Sequence, residues 1–386
     1  MKFNNETLDY FDVTSILKNI FGKSQHSKRI ESIANAALGV IASASLIVHR
    51  IGRGLAEVLN LSDKHAVKQV DRLLSNNKLN VWDAFSLWVP FLAGPRKEIK
   101  VTMDWTEFKK DKQATIALNL VTSHGRATPL IWMTVSTKTL KNNRNRYEDE
   151  VLLRLRELIS DDVNVTILAD RGFCDIRLMH FLEHDLKFNY SIRMRGNIKV
   201  TDKSGEEKAA KDWVGKSGRA KTLREARITG EAYLVKTVVC VHAKDMKEPW
   251  CIASSEENIS GSGLVKWYSK RWGCEPQFRD TKDIHFGMGL SDTHISSAER
   301  RDRLLFINAI AIVLLTFLGA AGEKIGLDRY LKVNTVKHRT LSLFRQGCIY
   351  FRRISRMALN TLKDLIEEFY SQIEKQKIIT EILSVV

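Results

Sequence analysis

Between residues 98 and 136 the chain sets three runs rich in β-branched and apolar residues in close succession: EIKVTMDWTEF (98–108), ATIALNLVTS (114–123) and RATPLIWMTVS (126–136). Short runs of this kind, separated by turn residues such as HGR (124–126), predict strands joined by tight turns. The pattern then alternates. A helical stripe runs through Val151, Leu152, Leu155 and Leu158, followed by a buried-strand run, VNVTILADRGF (163–173). DIRLMHFLEHD (175–185) is again helical, and FNYSIRMRG (188–196) is a strand. The order β-β-β-α-β-α-β calls for an α/β fold, a mixed sheet with helices packed on it.

The flanks of this region are different. Residues 1–97 read as helices. Within them SDKHAVKQVDRLLSNN (62–77) has Ser62 as N-cap, an apolar stripe through Ala66, Val67, Val70, Leu73 and Leu74, and Lys64, Lys68 and Arg72 on the other side. That cationic side fits a solvated face and a DNA-facing one equally well. Residues 197–260 begin polar and continue into ARITGEAYLVKTVVCVHA and PWCIASS, which predicts a β-rich insertion with exposed loops. The expected organisation is a helical N-terminal region (1–97), an α/β domain (98–322) with its insertion at about 197–260, and a basic helical C-terminal region (323–386). From Arg329 to Arg356 that last region has eight Lys or Arg and no acid.

LLFINAIAIVLLTFLGAAG (304–322) is long enough to span a bilayer. Asn308 and Thr316 interrupt it, and it follows a mixed α/β region, so a buried core helix is expected and no membrane partner. MKFNNETLDYFD at the N-terminus lacks the apolar core of a secretory signal. The five cysteines form no CxxC pair and no Cys/His ligand spacing, which argues against zinc and fits a reducing, cytoplasmic setting. Lys plus Arg is 61 against 45 Asp plus Glu, a net charge of +16. Such an excess suits a polyanionic partner.

Asp104, inside VTMDW, and Asp170, ending VTILAD, stand out because an ionised carboxylate in an apolar strand is unfavourable unless it is paired or binds a metal. A salt bridge to an arginine would satisfy either aspartate, and Asp170 could cap the helix near 175. Two aspartates on adjacent strands could instead supply hard oxygen ligands to Mg²⁺ or Mn²⁺. A third carboxylate stands out in WYSKRWGCEPQFRDTK (267–282), where Glu275 is surrounded by Lys270, Arg271, Arg279 and Lys282 and by Trp267 and Trp272. On a continuous helix at 100° per residue, Tyr268, Arg271, Glu275 and Lys282 fall within roughly 60° of arc. Pro276 directly after Glu275 predicts a kink, which makes the common face least secure at Lys282.

With these residues in place the chain resembles the DDE transposases of bacterial insertion sequences that carry a Y-x2-R-x3-E-x6-K signature. Tyr268, Arg271, Glu275 and Lys282 meet that spacing, and DWT (104–106) and ADRGF (169–173) look like the two aspartate motifs. The resemblance covers roughly residues 60–320. It implies a ribonuclease H-like mixed sheet with flanking helices, interrupted by a β-rich insertion before the glutamate helix, with helical N- and C-terminal regions. It implies a catalytic set Asp104, Asp170 and Glu275 that holds two Mg²⁺, with Mn²⁺ as substitute. Tyr268, Arg271 and Lys282 would grip DNA, and Trp250 and Trp272 would stack bases. The implied partners are double-stranded DNA, as terminal inverted repeats and target DNA, and a second copy of the chain on that DNA. The implied location is the bacterial cytoplasm, at the nucleoid. A hydrolytic nuclease of the same fold and a catalytically idle DNA-binding regulator are the alternative readings.

Overall fold

A computed structural model describes residues 12–22, 26–283 and 287–378. The N-terminal stretch judged to lack a secretory signal lies largely outside the described residues. Among the described residues five helices come first: α1 (Val13–Phe21), α2 (Ser27–Ser43), α3 (Val48–Leu59), α4 (Asp63–Leu74) and α5 (Val81–Ala93). Ser62 caps α4 by accepting from the His65 amide, and Ala66, Val70, Leu73 and Leu74 are buried while Lys64, Lys68 and Arg72 face solvent. The cap and the stripe are the two features that the sequence of this helix predicts.

The strands follow as β1 (Glu98–Phe108), β2 (Gln113–Leu120), β3 (Thr128–Ser136), β4 (Asn164–Ala169) and β5 (Asn189–Met194), with α6 (Arg144–Leu158) and α7 (Ile176–His180) between the last three. Then come β6 (Lys199–Thr201), β7 (Glu207–Ala209), β8 (Lys221–Ile228), β9 (Tyr233–Val241) and β10 (Trp250–Ser254). All belong to one ten-stranded sheet in the order β3-β2-β1-β4-β5-β10-β9-β8-β6-β7. β1 is antiparallel to β2 and parallel to β4, and β4 is parallel to β5. The fold is therefore the expected α/β one, ribonuclease H-like, with helices on both flanks. The inserted strands continue this sheet: β10 pairs antiparallel with β5, Cys251 facing Met194 and Ser254 facing Ser191.

Five more helices follow among the described residues: α8 (Gly261–Ser269), α9 (Cys274–Lys282), α10 (Ala298–Lys324), α11 (Leu343–Arg353) and α12 (Leu359–Ile378). α10 is the apolar helix. By length and composition it could cross a membrane, but 94% of its most apolar window is buried in the protein. It packs on β3, α2, α11 and α12 as the central helix of the core. A β-carbon at Gly319 would lie 1.9 Å from the Leu343 carbonyl oxygen, and one at Gly347 1.9 Å from that of Leu315. The two glycines thus let α10 and α11 cross at backbone contact. One apolar cluster extends from Val13 to Ile373, so the helical flanks share the core of the sheet.

β3 is an edge strand, and an uncovered edge invites pairing with other chains. α10 covers it. Both Asp302 carboxylate oxygens accept from the Thr134 amide, at 3.1 and 3.3 Å, and the Trp132 indole donates to the Asp302 carbonyl at 3.3 Å. Burial pushes the Asp302 carboxyl up to about 7. An unfolded aspartate titrates near ~3.9, so between that value and about 7 the native state holds the extra proton, and stability falls as pH rises through this window. Asp302→Asn keeps the acceptor for Thr134 but cannot ionise. Chemical denaturation across the window should therefore show the parent losing on the order of 1 kcal/mol per pH unit relative to Asp302→Asn. Parallel profiles for the two proteins would contradict this.

Candidate active site

The parallel register of β1 with β4 runs from Glu98 opposite Asn164 to Met103 opposite Ala169. The next residues on the two strands are Asp104 and Asp170, so pairing alone sets them side by side at one end of the sheet. Asp104 is partly buried; its Oδ1 accepts from the Trp105 amide at 2.8 Å. Burial pushes its carboxyl up, Asp170 and Glu275 push it further, and Arg271 and the Trp105 amide pull it down. Each of the other two carboxylates is thus felt at Asp104. Asp170 Oδ1 accepts from the Gly172 amide at 2.7 Å and caps the turn Arg171–Phe173. The helix beyond is capped by Asp175 instead.

The glutamate arrives from the other side. α8 ends at Ser269, a tight 3₁₀ turn spans Lys270–Gly273, and α9 begins at Cys274. The expected break at Pro276 is therefore found one turn upstream. Pro276 falls in the first turn of α9, where its missing N–H removes no intrahelical bond. Glu275 shares that turn, where a carboxylate is favoured by the helix dipole, and its side chain is mostly exposed. Arg271, on the 3₁₀ turn, links the two sides. Its Nη1 lies 3.8 Å from Asp104 Oδ2 and its Nη2 3.4 Å from Glu275 Oε1.

Lys282, at the far end of α9, keeps its ammonium 5.4 Å from the Phe108 ring and 5.6 Å from that of Phe278. Burial lowers its pKa while Asp104 raises it, so Lys282 lies within electrostatic reach of the site. Tyr268 is 2% exposed and donates its hydroxyl to the Ala169 carbonyl at 3.2 Å, which ties α8 to the residue preceding Asp170. Trp250 is 6% exposed, edge-on to Tyr268 at 5.3 Å and to Trp272 at 5.2 Å. Trp272 is 52% exposed and presents the open ring of the three. Trp267 packs elsewhere, with the Lys100 ammonium 3.8 Å from its ring.

Two further side chains belong to this neighbourhood and carry no motif. Cys274 Sγ lies 3.9 Å from Asp104 Oδ2, and burial pushes its thiol up to about 12, so it stays protonated. Glu148 on α6 accepts from the Trp105 indole at 2.8 Å and is buried, its carboxyl pushed up by burial. Its signal was present: Glu148 falls three and four residues before Val151 and Leu152, on the apolar stripe of α6.

Among the described residues no three His, Cys, Asp or Glu side chains converge tightly enough to hold a metal ion. The donor chemistry nevertheless fits a hard divalent cation: Asp104, Asp170 and Glu275 offer carboxylate oxygen alone, and each affects the charge of the group at Asp104. Residues 97–314 match the family model described as "Transposase DDE domain". No curated protein matches the chain.

The two tryptophans should separate in their effects. Trp250→Ala should lower the unfolding free energy by about 3–5 kcal/mol, because it empties a buried site between Tyr268 and the inserted strands. Trp272→Ala should change it by less than about 1 kcal/mol. Chemical denaturation of both variants checks this, and equal losses would contradict the packing described.

Proposed function

The chain belongs to the family of transposases with a DDE domain, and from that premise we propose that it cuts the ends of a bacterial insertion sequence and joins them to target DNA. The observation that supports this reading best is the register of β1 with β4, which makes Asp104 and Asp170 neighbours, with Glu275 joined to Asp104 through Arg271. These three carboxylates would hold two Mg²⁺, or Mn²⁺ in their place. A divalent cation bound there supplies charge stabilisation for in-line phosphoryl transfer.

The chain's own side chains divide the remaining work. Tyr268, Arg271, Glu275 and Lys282 constitute the Y-R-E-K signature of this reading. Arg271 and Lys282 meet backbone phosphates beside the transferred strand end, and Tyr268 acts from the core by fixing α8 against β4. Trp272 offers its face to an unstacked base, and Trp250 supports it from beneath. The exposed Lys64, Lys68 and Arg72 of α4 form a DNA-facing surface in the N-terminal region, and the C-terminal region adds cations. Cleavage leaves a 3′ hydroxyl, which the same site then directs at a phosphodiester of the target. The working form is a homodimer on paired terminal inverted repeats in the cytoplasm.

A hydrolytic nuclease would use the same site and stop at the nick, whereas an idle regulator would only bind. Asp104→Ala, Asp170→Ala and Glu275→Ala should each lower cleavage of DNA bearing the element's end by at least about 10³, with DNA binding retained. Near-normal cleavage by any one would remove that residue from the site. A chain of net charge +16 should rely on phosphate contacts. Six to ten of them would weaken binding by roughly 10³–10⁵ between about 50 and 200 mM salt. A flat titration would count against DNA as the partner.

A further inference from the structure

A side chain already occupies the place between the carboxylates. Arg271 is 9% exposed, and its guanidinium lies between Asp104 and Glu275 at 3.8 and 3.4 Å. Both distances exceed the roughly 2.7–2.9 Å of a well-made charged hydrogen bond. The guanidinium balances the two carboxylates without clamping either. Its Nε is buried and has no hydrogen-bond partner among the described residues, so one donor of a group built for two-pronged recognition of phosphate is still unused there. The backbone that carries it is the 3₁₀ turn between α8 and α9, a geometry that often marks a hinge within a helix. The next residue on that turn is the half-exposed Trp272, so a strand that reached this ring would arrive beside Arg271.

We propose that Arg271 is a latch that couples DNA binding to metal loading. Without DNA its fixed positive charge sits among the carboxylates and opposes a divalent cation there. A backbone phosphate draws the guanidinium away, and Asp104 and Glu275 become available as ligands. The proposal rests on the reading that Asp104, Asp170 and Glu275 are the metal site. Linkage requires the effect to be mutual: whatever factor DNA adds to metal affinity, the metal adds to DNA affinity.

The test is Mn²⁺ binding to the full chain, followed by the electron paramagnetic resonance signal of free Mn²⁺, with and without a short duplex whose own Mn²⁺ uptake is subtracted. For the parent protein the duplex should tighten Mn²⁺ binding on the order of tenfold or more. Arg271→Gln should bind Mn²⁺ without DNA at least about tenfold more tightly than the parent, with little further gain from the duplex. Arg271→Lys, which keeps the charge, should stay close to the parent in DNA-free binding. Weaker or unchanged DNA-free binding by Arg271→Gln overturns the latch. If Arg271→Gln does not fold, the parent alone decides: equal affinity with and without duplex overturns it. Asp104→Asn separates the metal site from the latch. Loss of Mn²⁺ binding in that variant upholds the site and leaves the latch to the Arg271 results. Undiminished binding removes the site itself, and the latch with it.

Discussion

Parallel pairing of β1 with β4 is the constraint on which the rest of the site depends. Two carboxylates at neighbouring positions repel, and nothing in their own chemistry would bring them together. The backbone hydrogen bonds of the ladder hold the strands in register up to Met103 and Ala169, and Asp104 and Asp170 follow as the next residues. A slip of one residue would turn one aspartate to the opposite face and expose apolar residues that now fill the core. Both faces of β4 are buried, so the register is held by packing on each side of the sheet.

What the sheet brings together, its neighbours must neutralise. The Asp104 carboxyl is pushed up by burial and by two other acids, and Arg271 is the main opposing charge. The inserted strands matter here through β10, which pairs with β5 and places Trp250 against Tyr268. Tyr268 in turn bonds to Ala169, beside Asp170. The insertion, α8 and the end of β4 form one chain of contacts leading to the second aspartate. α9 continues from it with Glu275 near the end of the 3₁₀ turn, where a small change in backbone angle would move the carboxylate most.

Much of this was legible in the sequence, for identifiable reasons. β1 to β4 announce themselves because β-branched runs bounded by turn residues have few other folds open to them. Ser62 and the stripe of α4 were legible because capping and 3.6-residue periodicity are local. β8 was harder to see. KTLREARI alternates charged and apolar residues on a partly exposed strand, and only its last three residues, ARI, fall in a run that reads as strand. The joining of the insertion to the main sheet is a long-range pairing that no local pattern encodes. Pro276 pointed to a kink in the right segment but at the wrong residue, because a proline in the first turn of a helix disturbs nothing; the break at Lys270–Gly273 has only Gly273 to signal it. PWCIASS suited a buried strand and a base-stacking platform alike, and only the packing of Trp250 beneath Trp272 distinguishes their exposures.

The site proposed above requires Asp104, Asp170 and Glu275 to converge on one divalent cation when DNA is bound. Ferrous iron placed in such a site, with ascorbate and peroxide, releases hydroxyl radicals that cut the nearest backbone. In the DNA-bound protein the cuts should cluster at three segments far apart in sequence, around residues 104, 170 and 275, all of them lost in Asp104→Asn. Cuts at one segment alone, or at places unrelated to these three, would contradict it.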